Sequence, residues 1–345
     1  MDFSRVRLLA GARLRVALRL KTQNPVRFQA AVRQLKSNAI LCNTLMIKRT
    51  LYFGNPCYLK KKDMQMNIEF PEKEFKPPVS IPIEDIGILI LDSPHITITN
   101  ALIAELNDNN VAVISCDSKH MPYGLMLPMF AHHAFTEKMY QQLESSLPLK
   151  KNLWQQTIVA KISNQAAFLR QHGMDDRKMQ YYIGLVKSGD PQNVEGRAAA
   201  YYWEKLFASH KSFTRDREGE MPNAMLNYGY AILLAIMARS LTASGLLPAV
   251  GIHHRNKYNP WCLASDIMEP YRPYIDRLVI QVAAEFPDSE ELTPDIKRKL
   301  LQVPVLDILI DGNSSPLMVG VQRTTASLSA CFEGTSRRIL YPELS

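Results

Sequence analysis

At 345 residues, 46% of them hydrophobic, the chain is long enough for about two domains and for well-buried cores. Its longest apolar run, near residues 231–238, falls short of the ~18 residues that a membrane span requires. Five cysteines, Cys42, Cys57, Cys116, Cys262 and Cys331, show no CxxC spacing, so neither a zinc ribbon nor a disulfide framework is implied and a reducing cytoplasm is the expected setting.

The net charge of +8 points toward a polyanionic partner, but it is unevenly spread. Residues 1–45 hold nine of the 41 basic groups (Arg5, Arg7, Arg13, Arg15, Arg19, Lys21, Arg27, Arg33 and Lys36) and one of the 33 acidic ones, Asp2, so the remainder balances at 32 of each. A body of that kind meets a polyanion through local clusters and bound metal, not through a uniformly basic surface. Arginines interrupt the apolar stretch of the leader, which argues against a secretory signal. Its composition fits a transit-like segment, a DNA-gripping arm, or an extension upstream of a start at Met46, and the last reading sets residues 1–45 outside the fold.

From Ile47 to about Pro128 the chain reads as strand-rich: TLYFG, CYLKKKDMQMNIEF, VSIPIEDIGILILD and VAVISCD are rich in β-branched and aromatic residues and are punctuated by Gly54, Asn55, Pro56 and Pro71. A short helix, TNALIAELNDN, fits between two of these, with Thr99 or Asn100 as its cap. Pro122, Gly124 and Pro128 mark Lys119–Pro128 as a linker, with His120 as a loop residue in it.

Beyond Ala131 helical periods take over. Leu153, Ile158, Ile162, Ala166 and Leu169 lie on one face of a helix that Gly173 ends. A second helix spans about Asp175 to Lys187. Asp190 is then the expected cap of a third, with Pro191 in its first turn and Glu195 near its start, where a carboxylate complements the helix dipole. HKSFTRDREGEM, at residues 210–221, reads as a solvated charged loop. Pro222 opens a buried helix carrying Asn223, Asn227, Tyr228 and Tyr230, and Pro270 and Pro273 lead into YIDRLVIQVAAEF. A further helix lies near Pro294–Leu301, and the tail is loosely patterned. These elements predict an α+β chain: a small N-terminal β-rich domain at 46–128, then a larger all-α domain at 129–345 that holds the candidate catalytic residues.

The stretch richest in chemistry is GIHHRNKYNPWCLASDIMEPYRP, Gly251–Pro273. His253, His254, Asp266 and Glu269 offer imidazole and carboxylate ligands, while Arg255, Lys257 and Arg272 are cations of the kind that hold phosphates. Asp266 and Glu269 sit three apart and share a helical face, and Pro270 breaks the helix at Glu269. Capping and surface pairing would use the same residues, so the stretch alone leaves both readings open.

Three motifs together, NVEGRAAAYYW, PNAMLNYGYAILLA and GIHHRNKYNPWCLASDIMEPYRP, resemble the CRISPR-associated endonuclease of the adaptation module, the integrase that inserts spacers; RNKYNPWCLASDIMEPYRP looks most like the version from type II systems. The resemblance spans about Met46 to the C-terminal region. It implies that Glu195, His254 and Glu269 bind a divalent metal, with Asp266 as a supporting acid and His254 selected over His253 by its spacing from Gly251. An imidazole with two carboxylates suits Mg²⁺ or Mn²⁺. The implied reaction joins the 3′-hydroxyl ends of prespacer DNA to the CRISPR repeat by phosphodiester transesterification. The implied partners are double-stranded DNA, a second copy in a homodimer, and a small ferredoxin-like CRISPR-associated protein. From charge and proximity, Arg255, Lys257 and Arg272 are expected to contact phosphates. Two other readings stand beside this one: a non-catalytic DNA-binding scaffold of the same fold, and a metal-dependent hydrolase of small substrates.

Overall fold

The computed structural model of the protein describes residues 48–71, 77–129, 131–207, 213–216 and 219–344; the basic leader at 1–45 lies outside them. The strand-rich segment forms two sheets. Strands β1 (Arg49–Phe53), β5 (Ile86–Leu91), β7 (Ala112–Cys116) and β8 (Pro122–Met126) make the first, in the order β1-β5-β7-β8 and parallel except for β8. The second has the order β4-β3-β2-β6 and is built from β2 (Cys57–Lys62), β3 (Gln65–Glu69), β4 (Val79–Pro82) and β6 (Ile96–Ile98). Helix α1 (Asn100–Asp108) follows Thr99 as expected.

Strand β5, IGILIL, shows why a run without polar alternation belongs here. Ile86 and Leu89 face a core shared with Leu59, Met66, Leu102 and Leu106, while Ile88 and Ile90 face the helices that follow. A parallel strand covered on both sides has no solvent face to mark with polar residues. KHMPYGLMLP therefore corrects the linker expectation: its centre is β8, hydrogen-bonded along β7 with Gly124 opposite Ser115. A Cβ at Gly124 would stand 2.3 Å from the Ser115 Oγ, so glycine here permits close strand approach and does not signal a turn.

The helical part comprises α2 (Phe135–Leu143), α3 (Leu147–Gln171), α4 (Arg177–Leu185), α5 (Val194–Leu206), α6 (Asn223–Ala243), α7 (Cys262–Ile267), α8 (Arg272–Glu285), α9 (Pro294–Leu300) and α10 (Leu317–Phe332). The cap of α5 is Asn193, not Asp190; the Asp190 carboxylate still accepts the amides of Val194 and Glu195, both at 2.9 Å. Helix α6 is long and apolar enough for a membrane crossing by length and composition, yet 78% of its most apolar window is buried within the fold. It is apolar all round because it runs through the core.

The all-α expectation for 129–345 is corrected by a three-stranded antiparallel sheet of β9 (Asp307–Ile310), β10 (Asn313–Pro316) and β11 (Pro342–Glu343), in the order β10-β9-β11. Its strands are two to four residues long and β11 arrives from the far end of α10, too little pattern for a period to register. Asn164 of α3 ties this end down, donating to the carbonyls of Pro270 (2.8 Å) and Pro342 (3.0 Å) and accepting from the Leu344 amide (2.9 Å).

The β-rich and helical parts also meet through charge. Lys297 of α9 donates to Asp92 Oδ2 at 2.9 Å, and Tyr52 and His120 bond the same carboxylate. Asp92 and Lys297 are both buried, so the pair is shielded from water and loss of one partner strands the other. Replacing Lys297 by Ala is expected to lower unfolding stability by about 3 kcal/mol in urea titrations, whereas the Asp92→Asn, Lys297→Met pair should lose less. A Lys297→Ala loss below about 0.5 kcal/mol, in the range of surface substitutions, would show that the pair does not hold the two parts together.

Candidate active site

The residues singled out in Gly251–Pro273 fold as an exposed loop leading into two short helical turns. Asp266, fully buried on α7, gathers the loop: Oδ2 accepts the amides of Ile252 (2.8 Å) and His253 (2.9 Å), while Oδ1 accepts the His254 amide (3.3 Å) and contacts His254 Nδ1 at 2.5 Å. Gly251 makes this wrapping possible, since a Cβ there would sit 2.5 Å from the His254 carbonyl and 2.8 Å from Asp266 Oδ2. A carboxylate on one ring nitrogen fixes the imidazole's orientation and leaves its other nitrogen for a ligand or proton.

The tandem histidines separate by environment. The His253 ring stacks on Trp154 of α3, with centroids 4.1 Å apart and planes within 2°. His254 meets the same indole edge-on at 5.6 Å. Burial lowers the His253 pKa, with the neighbouring His254 adding to the effect, whereas the Asp266 hydrogen bond raises that of His254 against its partial burial.

Glu195 and Glu269 come together through a lysine that the sequence alone does not single out. Lys161 of α3 donates to Glu195 Oε1 and pairs with Glu269 Oε2 at 2.6 Å, and its side chain is only 8% exposed. Arg272 Nη2 holds the other Glu269 oxygen at 2.9 Å. Burial pushes Glu269 upward, but Arg272 and Lys161 outweigh it and the carboxyl falls below its ordinary range. Burial likewise pushes Lys161 down, and Glu269 and Glu195 reverse the direction. Glu269 is thus held as a carboxylate, and both acids pair with one buried cation.

Beneath them lies a second polar layer absent from the sequence reading. Asp276 of α8 accepts the hydroxyls of Tyr202 (2.9 Å) and Tyr230, and the Arg272 guanidinium rests over the Tyr230 ring at 4.8 Å. Burial raises Asp276 to about 6 despite both hydroxyls. Arg215, expected on a solvated loop, instead reaches Asn223 (3.0 Å) and Asn227 (2.6 Å) of α6. Of the three cations assigned to phosphates, Arg255 and Lys257 are exposed and Arg272 is engaged by Glu269.

Glu195, Glu269 and His254 therefore occupy one neighbourhood, close enough for both acids to act on the His254 titration. Among the described residues, no three His, Cys, Asp or Glu side chains are already assembled at metal-holding distances. Two carboxylates closing on one buried ammonium nevertheless form a site for positive charge, and hard oxygen donors beside an oriented imidazole match Mg²⁺ or Mn²⁺.

Residues 51–286 match the family profile described as CRISPR associated protein Cas1. The chain is 35% identical to the CRISPR-associated endonuclease Cas1 of Neisseria meningitidis serogroup C over 268 residues, which cover 77% of this chain and 87% of that protein. Among solved structures, a casposase bound to its integration product superposes with a TM-score of 0.71 at 21% identity, covering 85% of this chain and 92% of the other. A chain of a Cas6-RT-Cas1–Cas2 complex gives a TM-score of 0.68 at 18% identity, over 87% of this chain and 36% of that one.

Two outcomes test this geometry. The raised His254 pKa means that the protonated imidazole is favoured in the fold; its stabilising effect is present below pH 6.5 and fades as the pH rises through the folded value. Asp266→Asn should move the His254 ring signals in NMR titrations back toward an ordinary imidazole, and an unmoved titration would break the assigned pair. Asp276 binds its proton more tightly folded than unfolded, so unfolding stability should fall as pH rises from about 4 to about 6. Denaturant titrations of Asp276→Asn should lack that component; an unchanged slope would contradict it.

Proposed function

The chain belongs to the CRISPR-associated Cas1 family, and we propose that it is a metal-dependent DNA integrase and endonuclease of CRISPR adaptation, joining 3′-hydroxyl ends of prespacer DNA to the CRISPR repeat by transesterification. The observation that carries this reading is the convergence of Glu195 and Glu269 on one buried cation beside an imidazole oriented by Asp266. The relative's name, an endonuclease, and the casposase with its integration product support the same class of chemistry.

Glu195, His254 and Glu269 would hold Mg²⁺ or Mn²⁺. Bound there, such an ion polarises a phosphate and offsets charge on the departing oxygen. The protein's own contribution is positional. Asp266 sets the His254 ring, and Arg272 pins Glu269 while resting on Tyr230. Arg255 and Lys257, on the exposed loop after His254, would contact phosphates of the DNA backbone. We extend the reading to partners: double-stranded prespacer and repeat DNA, a second copy in a homodimer, and a small ferredoxin-like CRISPR-associated protein, in the cytoplasm. The likeness to a chain of a Cas1–Cas2 complex supports the assembly.

A second reading has its own observation. The pairing of both acids with Lys161 is what a non-catalytic DNA-binding scaffold would use for structure alone. Strand transfer of a labelled prespacer into a repeat-containing duplex separates the two. Glu269→Gln and His254→Ala should each lower the rate by 10²-fold or more with the fold retained by circular dichroism, in line with losses on removing a group that acts on the developing charge. Rates within a few-fold of the unaltered protein would favour the scaffold.

A further inference from the structure

We propose that Lys161 is a built-in competitor of the divalent ion: its ammonium neutralises Glu195 and Glu269 in the ion-free protein and must withdraw before an ion can sit between them. This rests on the reading of Glu195 and Glu269 as ion ligands given above.

Lys161 occupies an interior position on α3, among Trp154, Thr157, Ile158, Asn164 and Gln165, all buried. A lone ammonium there would lose its hydration without return, so the lysine is tolerable only while paired. Its Nζ contacts one oxygen of each carboxylate, Glu195 Oε1 and Glu269 Oε2. Among the described residues it is the cation in ion-pair contact with both acids, which is the position a shared ion would take. Arg272 differs: it pairs with Glu269 alone, through the other oxygen, and its guanidinium is seated on the Tyr230 ring.

Glu269 Oε2 supplies the second observation. It is buried, and the ion pair with Lys161 at 2.6 Å is what compensates it. The side chains also differ in what they can do when an ion arrives. A planar guanidinium stacked on an aromatic ring is fixed, whereas a lysine stem has four rotatable carbons and carries a compact charge. Lys161 is therefore the group free to leave.

The charge balance gives the direction of the effect. Two carboxylates with Lys161 and Arg272 sum to zero, so an incoming divalent ion meets a site already neutralised. Without the ammonium the site carries one net negative charge at short range, and ion binding strengthens. A lysine here would thus hold ion affinity below what the carboxylates alone would give, and would keep the two acids apart in charge while the site waits for its ion. A purely structural lysine makes the opposite prediction, since its loss would loosen the acids and weaken binding.

Manganese titrations of the full chain, read by the EPR signal of free Mn²⁺, test this. The unaltered protein is compared with Lys161→Met, Lys161→Gln and Lys161→Arg, and Glu269→Gln marks the site. Lys161→Met and Lys161→Gln should bind Mn²⁺ at least ten-fold more tightly at the Glu269-dependent site, while Lys161→Arg, which keeps the charge, should stay within about three-fold of the unaltered protein. In thermal unfolding, Lys161→Met should melt below the unaltered protein without ion and gain more from saturating Mn²⁺ than the unaltered protein does. Unchanged or weaker manganese binding in both neutral variants overturns the competition. Manganese binding that Glu269→Gln leaves untouched removes the ligand reading itself, and the competition with it.

Discussion

The burial of one lysine among apolar neighbours constrains the site more than any other feature. Lys161 lies on the inner face of α3, and its ammonium is tolerated there only because two acids come to it from separate elements. That requirement pulls the first turn of α5 and the turn at Glu269 onto the same helix. One turn further along, Asn164 binds the carbonyl of Pro270, so α3 grips the Glu269–Pro270 turn by side chain and by backbone at once. Two turns earlier on that face, Trp154 provides the flat surface against which His253 stacks. Helix α3 thus arranges groups that lie far from it in the chain.

Asp266 plays the corresponding part for the loop. A buried carboxylate without a cation beside it is costly, and here the compensation comes from three consecutive backbone amides and one imidazole. The loop can be exposed at Arg255 and Lys257 and still present His254 in one orientation, because its first residues are bound to a fully buried carboxylate. Gly251 belongs to the same device, as any side chain there would strike the carbonyl and carboxylate that close the turn. Rigid support beneath an exposed edge is what a site that must meet a large substrate requires.

Much of this was legible along the chain, for reasons that particular residues make plain. The strands around β5 announced themselves by β-branched runs, and α6 by a long apolar stretch. Asp266 and Glu269, three apart ahead of a proline, were readable as a pair sharing a face. What escaped reading was non-local or disguised. Strand β8 hid behind Pro122 and Gly124, whose presence on a sheet edge looks the same as in a linker. The small sheet of β9, β10 and β11 is too short to show a period. Lys161 carries no local signature, since one basic residue on an apolar helix resembles a side chain reaching for solvent. Its partners are distant in sequence, and only the fold shows that it turns inward. The Asp276 layer was hidden for the same reason: Tyr202, Tyr230 and Asp276 stand on three helices distant in sequence, and the hydroxyls declare a purpose only when the carboxylate between them is seen.

The placement of charge bears finally on how a balanced body would approach a polyanion. Beyond residue 45 the basic and acidic groups are equal in number, and three of the cations are spent inside: Lys161 on two acids, Arg272 on Glu269, and Lys297 on Asp92. Charges used in this way contribute little field at the surface, because each is cancelled within a few ångströms. Exposed cations such as Arg255 and Lys257 then weigh more than their number suggests, since they stand beside His254 and have no such buried partner acid among the described residues. A DNA backbone drawn to them would be drawn to the edge of the site. On the proposed function, attraction and chemistry would be localised together without a broadly basic body, and screening by salt would act on the few exposed charges while leaving the buried network intact.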